Sequence, residues 1–391
     1  MNKNLWLLAL CQGLLLTNNV AFIAINGLVG LQLAPYGWMA TLPVMGYVVG
    51  GALSTGPVAR TQRRWGRQVS FQLGLAVAAG SALLCALAAY SGQFWLLVAA
   101  TVIAGYYSAN GQLYRFAAAE LAAPPFRERA VSMVLAGGLL GAVAGPNLAS
   151  HTRSWFSVPF VGAYVALFGV ALASMACMAA IRFEAPPAER GAAPPQGRSV
   201  LELLRQPTFL VATLGAALGY GVMNLLMAAT PLAMQVCGFD FGDTAFVLEW
   251  HVIGMFAPGF VTGHLIHRFG VLRMMGVGVA LNAVCVAVAL SGIELHHFTI
   301  ALFLLGVGWN FLFTGSTTLA LQAYRPEEKD RAQATINFCV FATMALTSFA
   351  SGALVTTQGW TLLNYGSLVP VLLTGIAVLW YVLRGRSRQA A

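Results

Sequence analysis

Residues 69–90 read Val-Ser-Phe-Gln-Leu-Gly-Leu-Ala-Val-Ala-Ala-Gly-Ser-Ala-Leu-Leu-Cys-Ala-Leu-Ala-Ala-Tyr, without a single charged side chain. Wound as a helix, this stretch rises about 33 Å, enough to cross a hydrocarbon core of about 30 Å. A membrane β-strand would alternate apolar and polar residues, and this stretch does not. Comparable runs lie near residues 5–32, 37–59, 93–119, 130–150, 158–181, 208–236, 244–266, 271–291, 298–323, 332–355 and 361–383. The reading is therefore an all-α membrane protein of twelve transmembrane helices. Composition agrees: 59% of the 391 residues are hydrophobic and 8% charged, against about 25% charged in soluble domains.

The cluster Arg63-Arg64-Trp65-Gly66-Arg67 ends one residue short of the quoted run. If both termini are cytoplasmic, this cluster and nearly every other Lys and Arg fall in cytoplasmic segments, with only Arg153 outside. That is the positive-inside pattern, so the net charge of +9 reports topology and excludes a nucleic-acid partner. The first apolar run lacks an A-x-A-like cleavage site and is read as a retained helix. Six scattered cysteines without C-x-x-C argue against a disulfide framework or a zinc site. No Walker loop, dinucleotide fingerprint, H-E-x-x-H or nucleophile elbow is present, so no enzyme and no cofactor is expected.

A polar, Pro- and Ala-rich stretch divides the chain into residues 1–182, a cytoplasmic linker at 183–207, and residues 208–391 with a short basic tail. Sequence features recur across that division. Gly56 and Arg63–Arg67 parallel Gly263-His-Leu-Ile-His-Arg268-Phe-Gly270, and Arg127-Glu128-Arg129-Ala130 parallels Lys329-Asp330-Arg331-Ala332. Parallel six-helix repeats give such an offset.

On these residues the chain resembles the major facilitator superfamily over essentially its full length. Gly263–Gly270 is similar to that family's Gly-x-x-x-Asp-Arg-x-Gly loop, with His267 where the acid usually sits; the first copy is looser. The resemblance implies two pseudo-symmetric six-helix halves and a gating loop containing Arg67, Gly263, Arg268 and Gly270. With the usual acid missing, Glu120 or Glu128 paired with nearby arginines could substitute. Gly141-Ala-Val-Ala-Gly145-Pro146 is similar to the family's fifth-helix Gly-x-x-x-Gly-Pro motif, common in antiporters, with close helix packing as the plain reading beside it.

Two consecutive spans carry Met223-x-x-x-Met227 and His251-x-x-x-Met255. A four-residue step returns each pair to one helix face. Thioether and neutral imidazole are soft ligands that suit Cu(I). Methionine is equally an ordinary filler of membrane helices, whereas an ionisable His251 at membrane depth calls for a cavity or a partner. The pattern resembles the CcoA-type (CalT) copper importers of the superfamily, whose motif these four residues match position for position. Closely similar transporters lacking them are linked to riboflavin uptake. The resemblance implies import of copper, bare or chelated and as Cu(I), across the bacterial inner membrane by alternating access, for haem–copper oxidase assembly. Met234 and Cys237 are weaker candidates toward the outer mouth, each with a plain structural reading beside it. Glu249 either marks the membrane boundary or offers a carboxyl for proton coupling. A monomer embedded in lipid is expected. The competing reading is an organic-solute carrier for a riboflavin-like or drug-like molecule, with Asn19, Asn110, Asn310 and Asn337 as cavity candidates beside Tyr106 and Trp309.

Overall fold

Lipid offers no hydrogen bonds, so an apolar chain crossing it must satisfy its backbone internally, as helices do. The structure, a computed structural model, describes residues 3–123, 126–183 and 197–389. Among the described residues the regular elements are all helical. In chain order they are α1 (Lys3–Leu33), α2 (Leu42–Ser91), α3 (Phe94–Gly111), α4 (Tyr114–Leu121), α5 (Arg127–Thr152), α6 (Val161–Ala179) and α7 (Val200–Arg205). The second set is α8 (Pro207–Val236), α9 (Phe241–Phe256), α10 (Gly259–Phe269), α11 (Val271–Ser291), α12 (Leu295–Leu321), α13 (Lys329–Thr357) and α14 (Gly359–Gln389).

Three departures from twelve simple spans have local causes. The run Gly37–Ser91 is 55 residues long, and a straight helix of that length would rise about 80 Å, far beyond one bilayer. It breaks at Gly66, whose φ of 78° and ψ of 173° suit a residue without Cβ. Gly270 holds the same place in the second repeat, with φ 89° and ψ 147°. The fourth span is α3 plus α4, interrupted at residues 112–113. The eighth is α9 plus α10, bent by 42° beside Pro258, which has no N–H to continue the ladder. Counted this way the described residues are consistent with twelve spans.

In the first set α1 packs on α5 and α6, and α2 on α3 and α6. In the second, α8 packs on α12, α13 and α14, while α12 also covers α9 and α11. The sets meet through α1–α8, α2–α13 and α5–α9. These junctions carry side-chain bonds at the ends away from the basic loops. Thr41 accepts from the Gly352 N–H (3.0 Å), Asn147 donates to Glu249 (2.8 Å), and Trp38 meets Phe349 edge-on at 5.9 Å.

The stretch read as linker is partly structured. Residues 184–196 lie outside the described residues, but α7 forms within the expected linker because Ser199 and Glu202 make a reciprocal capping box. Arg198 anchors its start by donating to Glu328 at 2.7 and 2.8 Å, and Glu328 is 1% exposed. That guanidinium, with backbone N–H donors, holds the Glu328 carboxyl well below the usual carboxylate range. The clamp is thus at full strength above the unfolded carboxyl's pKa of about 4.3 and weakens only as pH falls toward the lowered value. Glu328→Gln is expected to increase tryptic cleavage at Arg198 severalfold at neutral pH. Equal cleavage rates would show that the clamp does not hold this segment.

Candidate functional site

The second set of helices builds the site. The turn between α8 and α9 spans only residues 237–240, so Val236 and Phe241 start from nearly one level. Met227 then lies about 14 Å below that level and His251 about 15 Å. Met223 and Met255 follow at about 20 and 21 Å. The two four-residue pairs are therefore in register, because α9 begins at Phe241 rather than near Thr244. All four side chains are buried, with Met223 3% exposed, Met227 5%, Met255 7% and His251 0%, and the three methionines belong to one continuous core. Burial excludes their facing lipid.

His251 is held in a specific state. Its Nδ1 lies 2.7 Å from the Leu302 carbonyl on α12. A carbonyl only accepts, so Nδ1 carries the proton, and in the neutral form of the ring the lone pair is on Nε2. Nε2 is buried and has no protein hydrogen-bond partner. Leaving such an atom unpaired costs about 1–3 kcal/mol. A histidine that donates through one nitrogen to a carbonyl and keeps the other bare is arranged as metal-ligating histidines are.

The remaining candidates separate by what engages them. Asn310 donates to the Met255 carbonyl (2.7 Å) and accepts from Thr262 (2.6 Å). It thereby satisfies backbone freed at the α9–α10 bend. Asn110, fully buried, accepts from Ser70 at 2.9 Å and is tied within the first set. Asn19 accepts from Tyr47. Asn337 is exposed on α13. Met234 is 0% exposed in the same core as Met223, Met227 and Met255, and Cys237 caps α8, half-buried. Glu249 is joined to Asn147 across the two sets of helices. In the loop motif, Arg67 makes a two-pronged ion pair with Glu120, one of the substitutes expected for the missing acid. Glu128's side chain lies outside the described residues. Gly263 has open space around it, Arg268 stacks over Phe269 at 5.4 Å, and Gly270 makes the positive-φ turn.

Sequence reading named Trp309 beside the cavity candidates but missed the aromatic group around it. Tyr220 sits one turn from Met223 on α8 and meets Trp309 (5.3 Å) and Phe313 (5.5 Å) edge-on. Trp309 and Phe313 stack at 5.2 Å, and Phe256 borders Trp309 at 6.3 Å. The Trp309 Nε1–H is buried without a partner. The four-residue step from Trp309 to Phe313 was readable, but their meeting with Tyr220 depends on how α8 and α12 pack.

The model of the Major Facilitator Superfamily matches residues 5–257 and 246–391. The chain belongs to that superfamily. It is 34% identical over 366 residues to the riboflavin transporter RfnT of Brucella anthropi, covering 93% of this chain and 92% of RfnT. It is 28% identical to YdeG of Bacillus subtilis, an uncharacterized MFS-type transporter, over 94% of this chain and 88% of that one. Among solved structures, the POT family transporter PepTSo superposes with a TM-score of 0.75 at 11% identity, covering 100% and 99% of the two chains. A bacterial Spinster homologue, inward-facing and occupied, gives 0.73 at 16% identity, covering 98% and 96%. At those identities the structures establish the fold alone. The protein is thus a multi-pass membrane carrier of the major facilitator type, a family of transporters rather than enzymes.

Proposed function

We propose that this major facilitator protein imports copper as Cu(I), bound on its way by His251 Nε2 and the sulfurs of Met223, Met227 and Met255. The observation that carries the reading is the bare, buried Nε2 of His251, oriented by the Leu302 carbonyl and level with Met227. Soft neutral ligands hold a monovalent soft cation without the charge that would trap it. The halves, residues 1–182 and 208–391, would rock about the site. Their side-chain bonds lie at the ends opposite the basic loops, which supports a cavity open toward the cytoplasm and both termini on that side. His251 ligates only when unprotonated, so acid should weaken uptake.

A second reading, an organic-solute carrier for a planar molecule of the riboflavin kind, has its own support. RfnT, the relative at 34% identity, is named for riboflavin, and overall likeness favours this reading over copper. The Tyr220–Trp309–Phe313 group with its unpaired indole N–H could stack on and hydrogen-bond a flat ring. The copper reading rests on side-chain chemistry rather than on relatives. Proteoliposomes containing the purified protein separate the two. Radiocopper uptake under reductant, unaffected by excess riboflavin, is expected. Uptake of labelled riboflavin without copper uptake would reverse the order of the readings.

A further inference from the structure

Outside the membrane-buried site, one side-chain cluster brings metal-ligand atoms together. The turn between α11 and α12, on the face opposite the basic loops, reads Gly292-Ile-Glu294-Leu-His296-His297. Among the described residues, Glu294, His296 and His297 are the His, Cys, Asp and Glu side chains that converge, with ligand atoms all within 4.8 Å of one another. His296 Nδ1 lies 3.2 Å from a Glu294 carboxylate oxygen, and the two imidazoles overlap at 4.0 Å between centroids. His297 Nδ1 is buried and has no hydrogen-bond partner.

Two further details bear on a ligand. Glu294 occupies the N-cap position of α12 yet makes no capping bond; its carboxylate turns to His296 instead. An N-terminal helix end disfavours a cation, and the Glu294 carboxylate, not used as a cap, supplies the opposite charge at that point. Gly292 lies under the His297 ring, where an added Cβ would come within 2.4 Å of the imidazole. The ring is thus seated in a cradle that any side chain would fill.

We propose that Glu294, His296 and His297 form a metal-capture site on this outer turn that takes a borderline divalent cation, Cu(II) most tightly. Two imidazole nitrogens and one carboxylate oxygen suit Cu(II), Ni(II) and Zn(II), and copper heads that order of affinity. The chemistry differs from the thioether-rich inner set, which favours Cu(I). Leu302, whose carbonyl orients His251, lies only about 7.5 Å farther along α12 from His297. The outer cluster and the carbonyl that orients His251 thus lie on one helix. The proposal does not rest on the cargo being copper, since the outer cluster has its own ligands.

The test uses full-length protein purified in detergent and titrated with one equivalent of Cu(II), followed by electron paramagnetic resonance. Wild type is expected to give a single copper signal split by nitrogen. His296→Ala and His297→Ala should each weaken binding at least about tenfold, a loss that even indirect changes around metal ligands produce. Gly292→Ala keeps all three ligands but unseats His297 and should also weaken binding. The combined replacement of Met223, Met227 and Met255 by Leu and of His251 by Leu should leave the Cu(II) signal intact. That variant distinguishes failure of this site from failure of the transport reading. An unchanged signal in the His296 and His297 variants overturns the proposal. So does loss of the signal in a His264→Ala/His267→Ala variant, or no Cu(II) binding by wild type that melts cooperatively and elutes as one species.

Discussion

Replacing His251 by Leu is expected to reduce copper uptake at least about tenfold, on the scale of losses seen when a metal's surroundings are altered, while the protein still folds. The change removes an unpaired buried nitrogen, worth about 1–3 kcal/mol to the metal-free protein, and one hydrogen bond worth about 0.5–1.5 kcal/mol. These oppose each other, so the melting temperature should move little. Met227→Leu conserves volume closely and should cost less than about 1.5 kcal/mol in stability, yet should also depress uptake. Metal loading supplies a separate reading. Cu(I) at a hundred times its dissociation constant should stabilise wild type by about 2.7 kcal/mol, and the His251 variant should lose most of that gain. Unchanged uptake by both variants at equal protein level would sink the copper reading and leave the organic-solute reading standing. The sign of the pH effect is fixed as well: transport should fall as the medium is acidified, because protons compete for the ring nitrogen.

The second large effect is expected at Gly306. A Cβ there would meet the His251 carbonyl at 2.4 Å and the Met255 amide at 2.8 Å. Both contacts are backbone of α9, so they cannot be relieved by rotating a side chain. Gly306→Val should force α12 from α9 and cost about 1–3 kcal/mol or more. It should also disturb the His251–Leu302 and Asn310–Met255 bonds that depend on that approach. Gly276→Ala on α11 is the control, since nothing lies within 4 Å of the added atom; its effect should stay within about 0.5 kcal/mol. Thermal melting in detergent, beside uptake, checks both. Equal melting of the two variants would mean that the α9–α12 contact is looser than described.

How much of this was legible in the chain differs from residue to residue. The run at 69–90 announced a membrane helix because hydrophobic length is set by the bilayer and needs no neighbour. The repeated Gly66 and Gly270 were visible as parallel loops, and the structure adds that both take positive φ. Met223, Met227, His251 and Met255 were visible because a four-step spacing defines a helix face. Asn110 and Asn310 were read as cavity candidates on polarity alone. Their side-chain and backbone partners on other helices, Ser70 for one and Met255 and Thr262 for the other, lie at least 40 residues away, and no local pattern announces them. The capped helix α7 was hidden in a stretch whose composition reads as linker, although Ser199-x-x-Glu202 was there to be seen.

Local rules, then, determined the solvent this chain lives in, its spans and its repeat, because rise per residue, charge placement and turn chemistry act within a few residues. Packing alone decided which nitrogen of His251 is bare, since that depends on the Leu302 carbonyl, 51 residues away on another helix. It likewise decided that Tyr220 meets Trp309 and that Glu294 turns to His296. Side-chain chemistry is written in the chain, but its protonation and direction are set by partners that only folding brings within reach.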